Sequence, residues 1–341
     1  MRTLPTRLIC LIALLPIASC SDNRTSESTF QLDGESQLYL INATQDSLDI
    51  RIRDIAIWPE KSHYLVYTLA PGEHKLEERK TQGRNDYYLF VDAQNFNLYT
   101  TPGNRDTITI SPKPEGKVSL TYRGDMQSVH EFLEGKSDYF NSHMSDRDGR
   151  SEFMITGGNS LTDIFDFNDS LTIVNQDYIE SHRVLLPEWY VGFEQKRLDY
   201  LNAWYKMNAV LYRTKTLKID EVPAEEVLRA PYQKLDVEAL DMLGNRDYMN
   251  FLSQYITYQI DLIPQGESQA PRGSRKEEIA RRLRVIDQHF NGELKEAYLT
   301  YELSQYIDRG LLYDSAWLDQ VKTQRFRSFL GNVKSYYTDH H

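Results

Sequence analysis

The sequence predicts an α+β protein in which an antiparallel β-sandwich-like domain precedes an all-helical domain. From residue 38 to residue 122 apolar and polar residues alternate between frequent turn residues, which is typical of short strands. After Gly124 the apolar spacing changes to about 3.6 residues, which is typical of helices. The 341 residues are enough for two domains. We therefore predict a sandwich over residues 37–124 and a helical domain over residues 125–341.

The predicted strands have the spacing of a sandwich or an open barrel. Leu48, Ile50 and Ile52 alternate with charged residues, which indicates one buried and one solvated face. The phase changes at Asp54 and continues through Ile55 and Ile57, as at a bulge. Pro71-Gly72 marks a turn. The predicted strands cover residues 38–41, 48–53, 64–69, 87–92, 95–100, 106–110 and 117–122.

The helical half is predicted from apolar residues that share one face of each helix. Its first helix contains Val129, Phe132, Leu133, Tyr139 and Phe140. Further helices are predicted over residues 187–212, 246–262, 276–290, 293–307 and 315–329. Pro187 suits a first helical position, and Asn291-Gly292 suits a helix C-cap. Glycine-rich segments predict loops over residues 147–160 and 265–274.

The first twenty residues resemble the signal of a bacterial lipoprotein. Arg2 and Arg7 form a short basic start before an apolar run, and Ile17-Ala18-Ser19-Cys20 closes that run. The run is shorter than the roughly 20 residues that a membrane-spanning helix needs. The resemblance implies a signal peptide over residues 1–19, a lipid-modified Cys20 and a flexible tether over residues 20–36. The alternative is an ordinary signal cleaved near Ala18, with Cys20 incidental.

The expected location follows from the same resemblance. Ser21, rather than an aspartate, follows the cysteine, which in such lipoproteins favours the outer membrane. We expect the periplasmic side rather than the cell surface. The protein would then contact the membrane through the lipid on Cys20, and several acyl chains would anchor it firmly.

The charge makes nucleic acid an unsuitable partner. The formal net charge is −11, and removal of Arg2 and Arg7 with the signal would lower it to −13. Nucleic acids are bound mainly through lysine and arginine at the phosphates. We therefore expect no nucleic-acid partner. The resemblances described in this section imply a protein partner in the periplasm or at the outer membrane.

The cysteine count limits redox chemistry. The chain has two cysteines: Cys10 would leave with the signal, and Cys20 would carry the lipid. The mature protein would then have neither a thiol nor a disulfide, whereas thiol redox catalysis needs a thiolate. Since no disulfide would support the fold, the core must be large.

Aromatic residues supply much of that core, with 23 tyrosines, 13 phenylalanines and 4 tryptophans. A tyrosine buries a large ring and keeps a hydroxyl for a polar partner. We expect most tyrosines to pack between helices. A sugar-binding or protein-binding surface is the alternative interpretation of this composition.

No motif of a known catalytic, cofactor or metal site is present in the sequence. We therefore predict no catalytic residue, no cofactor and no metal ligand. Asp163, Asp166 and Asp169 recur every three residues and would share one face if the segment were a helix. A solvated acidic face is favoured over a divalent-cation site. His130 is expected to be a packed or surface residue.

Three segments resemble the N-terminal, non-catalytic region of TlpA-type thiol–disulfide oxidoreductases, which are membrane-anchored thioredoxin-like proteins. Residues 99–110 are similar to that family's strand, Pro-Gly turn and strand. Residues 118–125 are similar to the strand and glycine before its helices, and residues 186–201 to its next helix. In the family a thioredoxin domain with C-x-x-C follows at about the position where this sequence stops. Those redox residues have no counterpart here, so the resemblance implies no catalytic role.

Three functions remain open. The first is a non-catalytic outer-membrane lipoprotein that binds or docks a partner, either beside a separate redox protein or as a relic of one. The second is a lipoprotein that binds a glycan or peptide in nutrient uptake. The third is a hydrolase with an unrecognised carboxylate pair, which the abundance of Asp and Glu neither locates nor excludes.

Overall fold

The computed structural model describes residues 33–54, 64–143, 158–220, 222–262, 274–311 and 315–340. Within these residues two β-sheets precede a set of helices, which confirms the predicted α+β class and the order of its two parts. Cys20, the signal peptide and the bulge predicted after Asp54 lie outside the described residues, as do most of the two predicted glycine-rich loops.

The β part consists of two four-stranded sheets. Its strands are β1 (Asp33–Asn42), β2 (Leu48–Asp54), β3 (Tyr64–Leu69), β4 (His74–Gln82), β5 (Asn85–Val91), β6 (Gln94–Thr100), β7 (Arg105–Pro112) and β8 (Val118–Gly124). The first sheet has the order β4-β1-β7-β8 and the second has the order β3-β2-β5-β6. All neighbours are antiparallel except β1 and β7, which are parallel. This arrangement is a sandwich rather than an open barrel.

The sandwich core consists of the residues at alternate strand positions that face the opposite sheet. Leu40, Ile50, Ile52, Leu89 and Ile108 are fully buried in it. The alternation predicted for β2 is therefore correct: its leucine and isoleucines face the core, and its arginines face solvent.

Strand β4 was not predicted from the sequence, because polar residues occupy its inward positions and its apolar residue, Leu76, faces outward. Arg79 and Thr81 are buried, while Leu76 is half exposed. The Arg79 guanidinium lies 4.0 Å from the centre of the Tyr87 ring. β4 is an edge strand, and a charge that points inward is one way in which such strands avoid pairing with other chains.

The first strand begins earlier than expected. Residues 33–36 pair with residues 79–82 of β4, so the predicted tether over residues 20–36 is wrong for its last residues. Ser36 is buried, and its hydroxyl lies 2.6 Å from that of Thr81. The sequence of these residues is polar and therefore predicted a flexible segment. The strand with which they pair, β4, is also polar.

The helices are α1 (Gln127–His143), α2 (Leu161–Ser181), α3 (Glu188–Leu211), α4 (Glu225–Arg229), α5 (Arg246–Asp261), α6 (Arg275–His289), α7 (Gly292–Asp308) and α8 (Gln324–His340). Pro187 is the N-cap of α3. The helix predicted over residues 315–329 is wrong in extent: a short 3₁₀ turn spans Ser315–Gln320, and α8 follows it. Asn291 and Gly292 begin α7 instead of capping α6, whose C-cap is Phe290.

The helical core is rich in tyrosine, as expected. Tyr190, Tyr248, Tyr258 and Tyr298 are almost completely buried within it. Among the described residues, no helix is both long enough and apolar enough to cross a bilayer.

A direct joint links the sandwich to the helical part. Gly83, in the turn before β5, lies against Gly244, just before α5. The side chain of Asn85 donates a hydrogen bond to the carbonyl of Gly244, and the side chain of Asn245 donates to the carbonyl of Arg84 at 3.2 Å. The Asn245 oxygen also accepts two backbone N–H groups at the start of α5. The cap of this helix is thus also its contact with the sandwich.

Candidate functional site: an edge groove of the β-sandwich

A groove of about 620 Å³ lies on the side of the sandwich where the edge strands β6 and β8 face each other. Gln94, Asn95, Phe96 and Asn97 of β6 form one wall. The turn between β7 and β8 closes the end of the groove near Gln94. There the N–H of Val118, the first residue of β8, donates to the side-chain oxygen of Gln94 at 3.2 Å. The volume falls within the usual range for ligand sites.

An aromatic platform adjoins the groove on the outer face of the second sheet. Tyr88 and Phe90 of β5 lie here because they alternate with the core residues Tyr87, Leu89 and Val91. Their ring centroids are 6.3 Å apart. Both rings are partly exposed. Rings held side by side on a strand present a preformed apolar surface, which costs little conformational entropy on binding.

Polar residues flank these rings in regular cross-strand rows. Tyr88 is opposite Asn97 on one side and Arg53 on the other. Phe90 is opposite Asn95, and the Arg51 guanidinium lies 5.2 Å from the centre of its ring. Each row therefore combines an arginine, an aromatic ring and an amide, which offers stacking and hydrogen bonding side by side.

The same sheet face is covered by helices only two residues further along β6. Asn97 is exposed, whereas Tyr99 is 1% exposed. The Tyr99 ring packs against Tyr190 and Phe193 of α3, at centroid distances of 5.2 and 5.9 Å. The open platform is therefore the uncovered half of a surface whose other half docks the helical part.

Helix α1 closes the other end of the groove, near Tyr99. The ring nitrogen Nε2 of His130 lies 2.9 Å from the carbonyl oxygen of Tyr99. Burial lowers the pKa of His130 to about 4, so the ring is neutral at pH 7 and Nε2 carries the proton that it donates. Leu133 and Glu134, one turn further along α1, line this end of the groove. His130 is thus a packed residue, as expected.

The groove carries cationic side chains although the whole chain is acidic. Among the described residues that line it, Arg53, Lys113 and Lys117 are cationic, and Glu134 carries the one carboxylate. Lys117 also forms an exposed ion pair with Glu115 at 3.3 Å, which is weak because both groups are solvated. In a chain of net charge −11, this local excess of positive charge favours an anionic ligand.

A buried charge cluster at the joint is the main alternative site. Glu194 is 2% exposed and pairs with Lys136 at 2.8 Å and with Arg197 at 2.6 Å. Burial alone would raise the pKa of Glu194, but these two cations outweigh it and lower the pKa to about 2. Asp86 lies nearby, and burial raises its pKa to about 6.

These two carboxylates titrate far apart, which is also the behaviour of an acid–base pair in an enzyme. However, Arg197 binds both oxygens of Glu194 and also contacts Asp247. A carboxylate held in this way fixes α1, α3 and α5 together and is not presented to a substrate. We interpret the cluster as structural.

The other acidic and basic clusters also have structural roles. Asp163 completes the capping box at the start of α2, and Asp169 accepts hydrogen bonds from Asn202 and Lys206 of α3. No group of metal-binding side chains occurs in the part of the chain that the structure describes. A smaller depression of about 290 Å³ adjoins Arg282, whose guanidinium is already bonded to Glu302 at 2.7 Å.

Sequence reasoning did not identify the groove. The available signal was a pair of aromatic residues, Tyr88 and Phe90, at the polar positions of a predicted strand, followed by Asn95 and Asn97. Their meaning depends on the pairing of β5 with β2 and β6, which places the arginines and asparagines around the rings. The remaining predicted site residue, Cys20, lies outside the described residues.

Comparison with models of protein families gives no match for this chain, and neither does comparison with curated protein sequences.

Proposed function

We propose that this protein is a non-catalytic binding module of the bacterial cell envelope, anchored at the outer membrane through lipid on Cys20. In this proposal it binds its ligand or partner protein in the groove between β6 and β8. The observation that carries this proposal is the groove itself, which is lined by four aromatic rings, three amides and three cations among the described residues.

The arrangement of side chains supports binding rather than catalysis. The one carboxylate of the groove, Glu134, has no acidic partner among the described residues that line it. Hydrolysis by a carboxylate pair needs two such groups on either side of the scissile bond. Stacking surfaces and amides, by contrast, are common in sites that recognise sugars or peptides.

The lipid anchor is proposed from the sequence alone. The resemblance of residues 1–20 to lipoprotein signals supports it, as does the polar segment that follows. Mass spectrometry of the mature N-terminus tests it: an unmodified Cys20, or a start at Ser19, would contradict the anchor but not the groove.

Binding is tested by calorimetry on the purified protein with a panel of oligosaccharides and synthetic peptides. We expect saturable binding to at least one class, weakened about tenfold by Tyr88→Ala and by Phe90→Ala because each removes a contact ring. Tyr212→Ala is the matched control, since Tyr212 is also exposed but lies just after α3 in the helical part.

The outcome that would contradict the proposal is equally specific. Binding that persists at full affinity in both ring variants would place the site elsewhere. Turnover of any panel member, abolished by Glu134→Gln, would make the groove an active site instead.

A further inference from the structure

We propose that the groove takes an extended acidic peptide segment, which adds as a further strand to the free edge of β6. This inference rests on the proposed function and names the class of ligand. It follows from three features of the groove: a free strand edge, an apolar inner wall and cationic side chains around it.

The free edge follows from the register of the β5–β6 hairpin. In an antiparallel pair, alternate residues direct their N–H and C=O groups toward the partner strand. Val91 and Gln94 close the two-residue turn, so Gln94, Phe96 and Leu98 bond to β5. Asn95, Asn97 and Tyr99 therefore direct their backbone groups away from β5.

Tyr99 shows this direction directly, because its carbonyl receives the hydrogen bond from His130. Asn95 and Asn97 have the same orientation, and both line the groove. No backbone hydrogen bond links either of them to another segment that the structure describes. The edge thus offers two N–H donors and two C=O acceptors, which is the pattern that an added strand requires.

The edge is also bounded, which makes it a site rather than an aggregation surface. α1 occupies the position beside Tyr99, and the β7–β8 turn closes the other end at Gln94. An added strand would lie about 4.8 Å from β6. Only a short stretch of peptide can pair there, and a longer strand or a second sheet cannot extend past α1.

The walls determine which side chains such a strand would carry. Along a strand, successive side chains point to opposite faces. Those directed between the sheets would meet Val118, Tyr122 and Leu133, which form the apolar inner wall. Those directed outward would lie on the face that carries Asn95, Asn97 and the cation Arg53. A segment of alternating apolar and acidic residues fits both faces.

An acidic oligosaccharide is the competing ligand. A sugar chain would stack on Tyr88 and Phe90 and bond to the amide side chains, with no need for the backbone of β6. The two ligands therefore differ in one testable respect, which is their dependence on the N–H groups of Asn95 and Asn97.

The probe is an acetylated octapeptide of alternating valine and glutamate, titrated into the folded protein by calorimetry. We expect Asn97→Pro to weaken its binding at least tenfold, because proline removes an N–H that faces the groove. Asn97→Ala keeps that N–H and removes only the side-chain amide, so it should weaken binding clearly less than Asn97→Pro does. Proline is tolerated on a strand edge where its N–H is not used, and circular dichroism checks the fold of each variant.

A second series leaves the protein unchanged and therefore does not depend on the variant folding. In one set of peptides the methylated nitrogens are those that face β6, and binding should be abolished. In the other set the alternate nitrogens are methylated, and binding should be retained. Replacement of glutamate by lysine should weaken binding at least tenfold.

Three outcomes would overturn the inference. Equal binding of the peptide to Asn97→Pro and wild type, together with indifference to N-methylation, would exclude strand addition while leaving the groove as a binding site. Binding of oligogalacturonate but not of the peptide, lost in Tyr88→Ala, would make the ligand a glycan. Absence of binding by both probes, together with no effect of the ring variants on the wider panel, would contradict the proposed function as well.

Discussion

At the scale of single residues, the buried polar groups define the joint between the two parts. Asp86 lies on the same sheet face as the aromatic platform, at the position where the helices cover it. Burial raises its pKa to about 6 against the opposing charge of Arg197, while the neighbouring carboxylates Glu194 and Asp247 raise it further. Lys136 acts in the opposite direction. Ionisation of Asp86 is therefore less favourable in the folded protein than in the unfolded chain.

This shift predicts how stability depends on pH. The folded pKa of Asp86 is above the ordinary value of 3.8, so the folded state binds more protons than the unfolded state between about pH 4 and 6. The contribution of Asp86 to stability is full below that window and is lost as pH rises through it. Asp86→Asn cannot ionise, so we expect it to be more stable than wild type at pH 7.5, by up to about 3 kcal/mol, and equal at pH 4.

The measurement is the free energy of unfolding in urea at the two pH values. Asp166→Asn on the exposed face of α2 is the control, and its effect should be small at both. A stability difference for Asp86→Asn that is the same at pH 4 and pH 7.5 would show that the carboxylate is not destabilised by burial.

At the scale of elements, the turn before β5 fixes how the sandwich meets α5. Gly83 has a φ of +59°, and a Cβ atom there would lie 2.5 Å from the carbonyl oxygen of Leu243. Gly72, in the turn before β4, has a similar φ of +73° but no described atom within 4 Å of such a Cβ. The two glycines therefore share a backbone conformation and differ only in their contacts.

Comparison of alanine variants at these two glycines separates the cost of backbone strain from the cost of a clash with the helical part. We expect Gly72→Ala to lower the free energy of unfolding by about 1 kcal/mol, because alanine adopts a left-handed conformation less readily than glycine. Gly83→Ala should cost at least about 2 kcal/mol more, because the added methyl group must displace the backbone before α5. Urea unfolding of both variants measures the difference, and equal losses would show that the joint adjusts without cost.

The elements that the sequence predicts well are those whose pattern follows from their own burial. β2 alternates because one face meets the core, and α5 repeats every third or fourth residue because one face meets α3. β4 was missed because it buries Arg79 and exposes Leu76, so its pattern is set by its position at a sheet edge. Neither the edge nor the neighbouring strand can be read from the residues of β4 alone.

At the scale of the whole molecule, the α+β order could be predicted, but the groove could not. The change of period near Gly124 marks where the strands end and the helices begin, and it is a local signal. The groove depends on pairings between Arg53 and Tyr88 and between Tyr88 and Asn97, and on α1 closing one end. Those relations come from the topology of the second sheet.

The whole molecule also explains which part of the β6 edge is open to a ligand. The helical part covers the outer face of the second sheet around Tyr99. Helix α1 blocks the free edge of β6 at His130. What remains uncovered is the segment of β6 from Gln94 to Asn97. Our central claim is that this segment is where the protein binds.

The most direct test is hydrogen–deuterium exchange of individual backbone amides, followed by NMR with and without the valine–glutamate octapeptide. In the free protein we expect the amides of Asn95 and Asn97 to exchange fast and that of Phe96 to be protected. Of these three residues, Phe96 alone directs its N–H toward β5. With saturating peptide, exchange at Asn95 and Asn97 should slow at least tenfold. Unchanged exchange at these two amides, with new protection elsewhere in the chain, would contradict the claim.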